Sequence, residues 1–320
     1  MNHIEVELKL AAQSSAIDAV RQCISTLSPQ HSAPRKLTNI YFDTAQRQLR
    51  QWDMGLRIRG CDGRYEMTMK TAGQVISGLH QRPEFNVEID SPEINLAAFP
   101  AEIWPEGTDI AQLEDELEVL FSTNFTRETW LVKFEDSEIE IVFDQGEVSA
   151  GAKDLPIQEF ELELKQGFVA DVLNLAKKFA DIDGLNLSSL SKAARGYSLL
   201  ASEPVLLVRP ESVFDYEEQP IEKSLLHMQQ LCQQHEQYWL ADGEHARHGL
   251  SEFLRFVQAF LVHYQNSAPH FVHDLPLEQL RLDVTDETVS AEGFCYSSQW
   301  LKCKLAFIQW LTALTYTDVE

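Results

Sequence analysis

Charge sorted by strand parity is the feature that most constrains this chain. Residues two apart in a strand share a face of the sheet, roughly 6.6–7 Å apart. Eight segments alternate with that period: 3–10, 37–43, 55–59, 64–70, 82–89, 127–135, 138–144 and 157–165. In the first, Glu5, Glu7 and Lys9 share a face and Ile4, Val6, Leu8 and Leu10 share the other. In the last, Glu159, Glu161 and Glu163 oppose Phe160, Leu162 and Leu164. Glu138, Glu140 and Asp144 likewise oppose Ile139, Ile141 and Phe143. The cations alternate too: Arg57 and Arg59 against Leu56 and Ile58, and Arg64, Glu66 and Lys70 against Tyr65, Met67 and Met69. Arg82 and Glu84 lead into Phe85, Val87 and Ile89. Eight short alternating strands predict a large antiparallel sheet or a closed barrel.

A half-solvated antiparallel sheet explains one such strand on its own. It explains rows of like charge poorly. Two carboxylates about 7 Å apart repel by on the order of 2 kcal/mol at an effective dielectric near 20. Three in a row call for a cation among them, and a divalent metal with oxygen ligands is the obvious one. Arg and Lys on other strands suit a polyanion carrying several phosphates. Curling the sheet into a barrel turns the charged face into a lumen.

Composition limits the partners. The 320 residues hold 50 Asp and Glu against 26 Lys and Arg, a net charge of −24. A phosphate backbone is repelled by such a surface, so general nucleic-acid binding is excluded, whereas a local basic site is not. The hydrophobic fraction of 44% is ordinary for a globular chain. No apolar run is long enough for a membrane helix. The start shows no basic or apolar leader pattern. Cys23, Cys61, Cys232, Cys295 and Cys303 are odd in number and form no CxxC pair. A cytoplasmic protein with reduced thiols is expected.

Helical periodicity marks 15–27, 168–180 and 190–200 among the strands, then 221–240, 245–264 and 299–314 beyond them. Between lies a stretch with Pro204, Pro210 and Pro220 and little period. The expected organisation is α+β: a β domain over 1–202, a linker over 203–220 and an all-α domain over 221–320. Trp239, Phe253, Phe256, Phe260, Phe271, Trp300, Phe307 and Trp310 read as helix-packing residues. His245 and His248 could share a helix face, but no Cys or Glu at a metal-ligand spacing joins them, so surface histidines are expected.

Glu5-Val6-Glu7-Leu8-Lys9 resembles the ExExK signature of the CYTH superfamily, the triphosphate tunnel metalloenzymes. Further segments resemble that family in the same order: Tyr41-Phe42-Asp43-Thr44, Leu56-Arg57-Ile58-Arg59, Thr68-Met69-Lys70 and Arg82-Pro83-Glu84. After them come Arg127-Glu128-Thr129-Trp130, Glu159 to Leu164, and Ser191-Lys192-Ala193-Ala194-Arg195-Gly196-Tyr197. The resemblance implies an eight-stranded antiparallel tunnel that binds a triphosphate. It implies that Glu5, Glu7, Glu161 and Glu163, joined by Asp144, hold Mg²⁺ or Mn²⁺. Lys9, Arg57, Arg59, Lys70, Arg82, Arg127, Lys192 and Arg195 would grip the phosphates. Lys9 would serve catalysis with the four glutamates, and Glu84 and Glu159 could instead orient the cations.

The family includes inorganic triphosphatases, thiamine-triphosphatases, RNA triphosphatases and class IV adenylate cyclases. The leading expectation is metal-dependent hydrolysis of inorganic triphosphate to diphosphate and phosphate. A non-catalytic polyphosphate binder and a nucleotide-acting relative are the alternatives. Homo-oligomerisation is left open. Glu252-Phe253-Leu254-Arg255-Phe256-Val257 resembles an arginine-bearing helix of the CHAD domains, which accompany bacterial inorganic triphosphatases and are thought to bind polyphosphate. Residues 215–320 hold six basic and sixteen acidic residues, however, so the field there repels a polyanion. A shortened, CHAD-like packing or dimerisation module is expected.

Overall fold

The computed structural model describes residues 3–76, 78–201, 208–217 and 219–315. Its strands are β1 (His3–Ala12), β2 (Gln30–Thr44), β3 (Gly55–Cys61), β4 (Arg64–Lys70), β5 (Gln74–Ile76), β6 (Leu79–Ile89), β7 (Leu117–Phe134), β8 (Ser137–Ala150), β9 (Lys153–Gln166) and β10 (Leu185–Leu187). They pair in the order β10-β1-β9-β8-β7-β2-β3-β4-β6-β5, and β1 pairs with β6 as well. That extra pairing closes an antiparallel barrel of eight strands and leaves β5 and β10 as short additions outside it. Closure removes the sheet edges that an open arrangement would expose.

Alternation placed the eight barrel strands but not all their ends. β2 and β7 both start earlier than expected: the first half of β2 is exposed on both faces, and the first residues of β7 are open too, with Val119 63% exposed. A register shift between Tyr41 and Phe42 disturbs the parity there too. β5 and β10 are three residues each, too short to show a period.

The barrel is inverted relative to a sheet with one wet face. Its charged side points inward, and its apolar side points outward beneath helices. Val6, Leu8, Leu10, Ile139, Ile141, Phe160 and Leu162 are buried with Val20 and Ile24 of α1 (Ile17–Ser25). A second cluster sets Leu56, Ile58, Met67 and Met69 against Leu49 of α2 (Gln48–Gln51) and Leu113 of α3 (Ile110–Asp115). Asp109 caps α3 by accepting from the Gln112 N–H at 3.0 Å. After β9, α4 (Val169–Phe179) buries Val172, Leu173, Leu175, Ala176 and Phe179. Then α5 (Lys192–Leu199) covers a third cluster around Tyr41, Phe121 and Phe125.

Six helices follow: α6 (Ile221–Leu240), α7 (Ala246–His263), α8 (His270–His273), α9 (Leu277–Thr285), α10 (Ala291–Cys295) and α11 (Ser298–Thr315). The longest three match the periodic segments to within a residue or so; the short ones escaped because one or two turns carry no readable pattern. Phe253, Phe260, Trp300, Phe307 and Trp310 are buried as expected. Phe271 is the exception, 37% exposed with the Lys177 amine 5.1 Å from its ring.

Residues 203–207 of the expected linker lie outside the described residues. Its later part is packed, with Phe214 tilted against Phe256 and Tyr216 edge-on to Phe260 of α7. Their aromatic anchors were masked by the surrounding prolines. One buried cluster runs from Val6 and Phe179 to Phe307 and Trp310. Among the described residues no helix is long and apolar enough to cross a membrane. All five cysteines are free, and His245 and His248 are both exposed.

Candidate active site

Strand parity and register together bring the charges into one cavity. Glu5, Glu7 and Lys9 of β1 line it with Arg57 and Arg59 of β3, Lys70 of β4, Arg82 of β6, Arg127 of β7 and Glu161 and Glu163 of β9. Lys192, at the start of α5, enters from one end. Pairing of β1 with β9 sets Lys9 opposite Glu161 and Glu7 opposite Glu163. Pairing of β7, β8 and β9 sets Arg127 opposite Asp144 and Asp144 opposite Glu159.

Two of the expected residues stand behind the lining. Asp144 is fully buried and takes both forks of Arg127, at 2.7 and 2.6 Å, and the Lys192 amine at 2.6 Å. Arg195 bonds Glu159 and donates to the Pro156 carbonyl. Glu161 is the hub of this end: Lys9 lies 2.5 Å away, Arg127 2.9 Å and Lys192 3.0 Å. Lys9 also pairs with Glu7 at 2.8 Å. The oxygens of Asp144, Glu159 and Glu161 lie within 4.8 Å of one another, forming a buried cluster able to hold a metal ion. Glu159 belongs to that cluster and also holds Lys192 at 2.5 Å.

The other expected residues are spread along the wall. Lys70 pairs with Glu5, and with Glu84 at 2.9 Å; Arg57 lies 3.7 Å from Glu84. Glu84 thus holds two cations, the orienting option allowed by the sequence. Glu163 pairs with Lys165 at 2.7 Å. Arg82 reaches Asp53 at 2.7 Å and the Thr71 carbonyl at 3.1 Å. Arg59 donates to Asn39 Oδ1 at 3.1 Å, and its nearest carboxylate, Glu66, is 3.8 Å away.

Most of these charges are balanced, and two are not. Burial raises the Glu161 carboxyl, but Lys192, Lys9 and Arg127 outweigh it and hold it well below the usual carboxylate range. Burial raises Glu5 too; Lys70 opposes this, yet with Glu7 and Glu84 close by the carboxyl is pushed up to about 7. Glu5 is short of positive charge. Arg59 shows the opposite deficit: burial, then Arg57 and Arg127, bring it down to about 10. At Glu5 the paired Lys70, and at Arg59 the more distant Glu66, do not fully offset burial and like charge.

The carboxylates offer only oxygen donors, which suits a hard divalent cation such as Mg²⁺ or Mn²⁺. The charge deficit at Glu5 agrees, so the residues present fit such a metal. On the basic side, Arg57 Nε is buried with no partner among the described atoms, a donor left for an anion.

Sequence reasoning passed over Tyr41, His80, Phe125 and Ser191 as lining residues. His80 was recoverable by parity, two residues before Arg82. Its ring is neutral because burial and then Lys9 push it down to about 4. Asn39 was also missed; it is buried between Arg59 and Thr123 and aims the guanidinium.

A closed antiparallel barrel with a sorted, charged lumen defines the class: a β tunnel lined by both cations and carboxylates. The sequence profile of the CYTH domain matches residues 3–197, and the chain belongs to that family. An inorganic triphosphatase of Haemophilus influenzae is 38% identical over 207 residues, 63% of this chain and 56% of the relative. The chain thus matches little more than half the length of that relative. Among solved structures, HpAC1 of Hippeastrum, described as an adenylyl cyclase candidate with a dominant triphosphatase activity, is 23% identical. It covers 63% of this chain and 97% of its own, with a TM-score of 0.44. PH1012 of Pyrococcus horikoshii is 14% identical over 55% of this chain and 89% of its own, at a TM-score of 0.36. The profile match ends before the helical region.

Proposed function

We propose that this chain hydrolyses inorganic triphosphate to diphosphate and phosphate inside the tunnel, with a divalent metal, Mg²⁺ or Mn²⁺. The opposed deficits at Glu5 and Arg59 carry the reading, because a metal–triphosphate pair supplies a cation and an anion together. A bare polyanion would relieve Arg59 and aggravate Glu5. The inorganic triphosphatase among the relatives supports the same substrate.

Diphosphate is already a fair leaving group, so the main tasks are neutralising charge and aligning water with the terminal phosphorus. Arg57, Arg59, Lys70, Arg82 and Arg127 grip the phosphates along the wall, and Lys9 and Lys192 do so at the α5 end, with Arg195 behind them on Glu159. Glu5, Glu7, Asp144, Glu161 and Glu163 would hold the metal, which supplies positive charge against phosphate oxygens and acidifies water. Glu84 and Glu159 keep the cations aimed. Each cation leaving a carboxylate for a phosphate frees that carboxylate for the metal, so substrate and metal support each other's binding. No serine or cysteine nucleophile is required.

Phosphate release from triphosphate, ATP and thiamine triphosphate, each with and without Mg²⁺, tests this. Metal-dependent turnover of triphosphate above the other two is expected. Turnover of none would overturn the enzyme reading, and a cyclic product from ATP would move the chain to the cyclases.

A further inference from the structure

Beside the apolar packing that joins the two regions, one short segment ties the helical region to the tunnel by hydrogen bonds. Residues 183–189 form a bridge between α10 and α11 on one side and β1 on the other. The Ser298 N–H donates to Asp183 Oδ1 at 2.7 Å, and the Gly184 N–H donates to the Tyr296 carbonyl at 2.7 Å. Lys304 of α11 donates to Asn186 Oδ1, and Gln233 of α6 donates to Ser189 Oγ. On the barrel side β10 pairs with β1 from Leu10 to Ala12, and the Ser188 N–H donates to the Lys9 carbonyl at 3.0 Å. Three residues after Ser189 comes Lys192, which enters the cavity.

The lock is costly to build without a purpose. Lys304 and Glu236 are 3% and 4% exposed and pair at 2.5 Å, with the Trp300 indole N–H on the same carboxylate oxygen. An apolar seam would join the two regions at least as well, since a buried ion pair adds little net stability and instead fixes geometry. Here what it fixes is Asn186, and through a few residues of chain the position of Lys192. Ser191 then caps α5 by accepting from the Ala194 N–H at 3.1 Å, and Tyr197 of α5 donates to Asp43 of β2 at 2.9 Å. α5 is thus set at one end by the helical region and at the other by the barrel.

We infer that Lys304, Glu236 and Gln233 are positioning residues for triphosphate binding: the helical region sets the segment that delivers Lys192 to the tunnel. The inference rests on the proposed role of that cation. Two variants test it from opposite sides of the seam. Glu236→Leu with Lys304→Met removes the polar lock and keeps the core filled. Asn186→Ala with Ser189→Ala leaves the helices untouched. Triphosphate Kd by calorimetry and KM and kcat by phosphate release are measured for both, and again with Lys192→Ala added.

Kd and KM are expected to rise about tenfold in either variant, with kcat within about threefold of wild type. On the Lys192→Ala background the same changes should add less than about twofold, because the lock acts through Lys192. Unchanged Kd in a folded Asn186→Ala/Ser189→Ala protein overturns the inference. So do effects that multiply with Lys192→Ala. Wild type that binds triphosphate without turning it over removes the enzyme reading and leaves the Kd comparison decisive. Wild type that binds no triphosphate removes both.

Discussion

Arg59 and Glu5 each carry their charge less readily in the tunnel than in water, burial being the largest cause for both. Arg59 crowds Arg57 and Arg127 with no carboxylate nearer than Glu66 at 3.8 Å, so Arg59→Gln relieves repulsion as it removes a proposed phosphate grip. It should raise KM for triphosphate by about tenfold or more, while the thermal midpoint stays level or rises. Phosphate-release kinetics and a melting curve read the two effects separately. Glu161 should behave differently, since its removal takes one carboxylate from Lys9, Arg127 and Lys192, which keep Glu7, Asp144 and Glu159. Glu161→Ala should lose most of kcat and its metal dependence, and should cost about 1–3 kcal/mol of stability by urea unfolding. Full activity of that variant at low metal would refute its placement as a ligand. Parity alone made most of these residues legible, because inward and outward positions alternate. The partners were not legible: Asp144 behind Arg127, or Asn39 under Arg59, depends on strand register, which closure of the barrel decides.

Among the elements, α5 is packed closely on the barrel. A Cβ on Gly196 would stand 2.1 Å from the buried Phe121 ring, which is itself stacked on Tyr41 at 4.6 Å. Gly196→Ala should therefore lift α5 from the barrel, destabilise the fold by about 1–3 kcal/mol and weaken triphosphate binding, read by denaturant unfolding and calorimetry. On α6, His235 is buried, bonds the Glu211 carbonyl at 3.0 Å and stacks on Phe253. Burial brings its ring down to about 4, with Arg209 acting in the same direction and the Glu211 bond against it. As pH falls below about 6.5 the unfolded chain takes a proton that the folded ring refuses, so stability is lost progressively toward pH 4. Urea unfolding at pH 7 and pH 5 should show a larger loss for wild type than for His235→Gln. Equal losses would place the ring outside this linkage. Long periodic elements such as α6, α7 and α11 were readable from sequence. β5, β10 and the short helices were not, because tertiary contacts rather than a repeating pattern hold them in place.

Across the whole molecule, the continuous cluster from Val6 to Trp310 joins the barrel's outer face to the helices. The regions should unfold in one calorimetric transition, and Trp310→Ala should shift the midpoint of the whole protein by about 3–5 kcal/mol of lost stability. Two separated transitions would contradict this. Net charge pointed away from polyanions because it sums over space, whereas the tunnel sorts charge within it. The acidic excess divides into a surface that repels long polyanions and a lumen whose carboxylates sit beside the cations that a triphosphate needs. That division followed from strand parity; the seam that ties the helices to Lys192 had no counterpart in the sequence pattern, since Asn186, Ser189, Gln233 and Lys304 share no period. The central claim is chemical. Its most direct test is ³¹P NMR of triphosphate incubated with the wild-type chain and Mg²⁺, then repeated in EDTA. Triphosphate resonances should give way to equimolar diphosphate and orthophosphate with the metal and persist without it. Resonances that persist with Mg²⁺, or turnover that EDTA does not stop, would contradict the account.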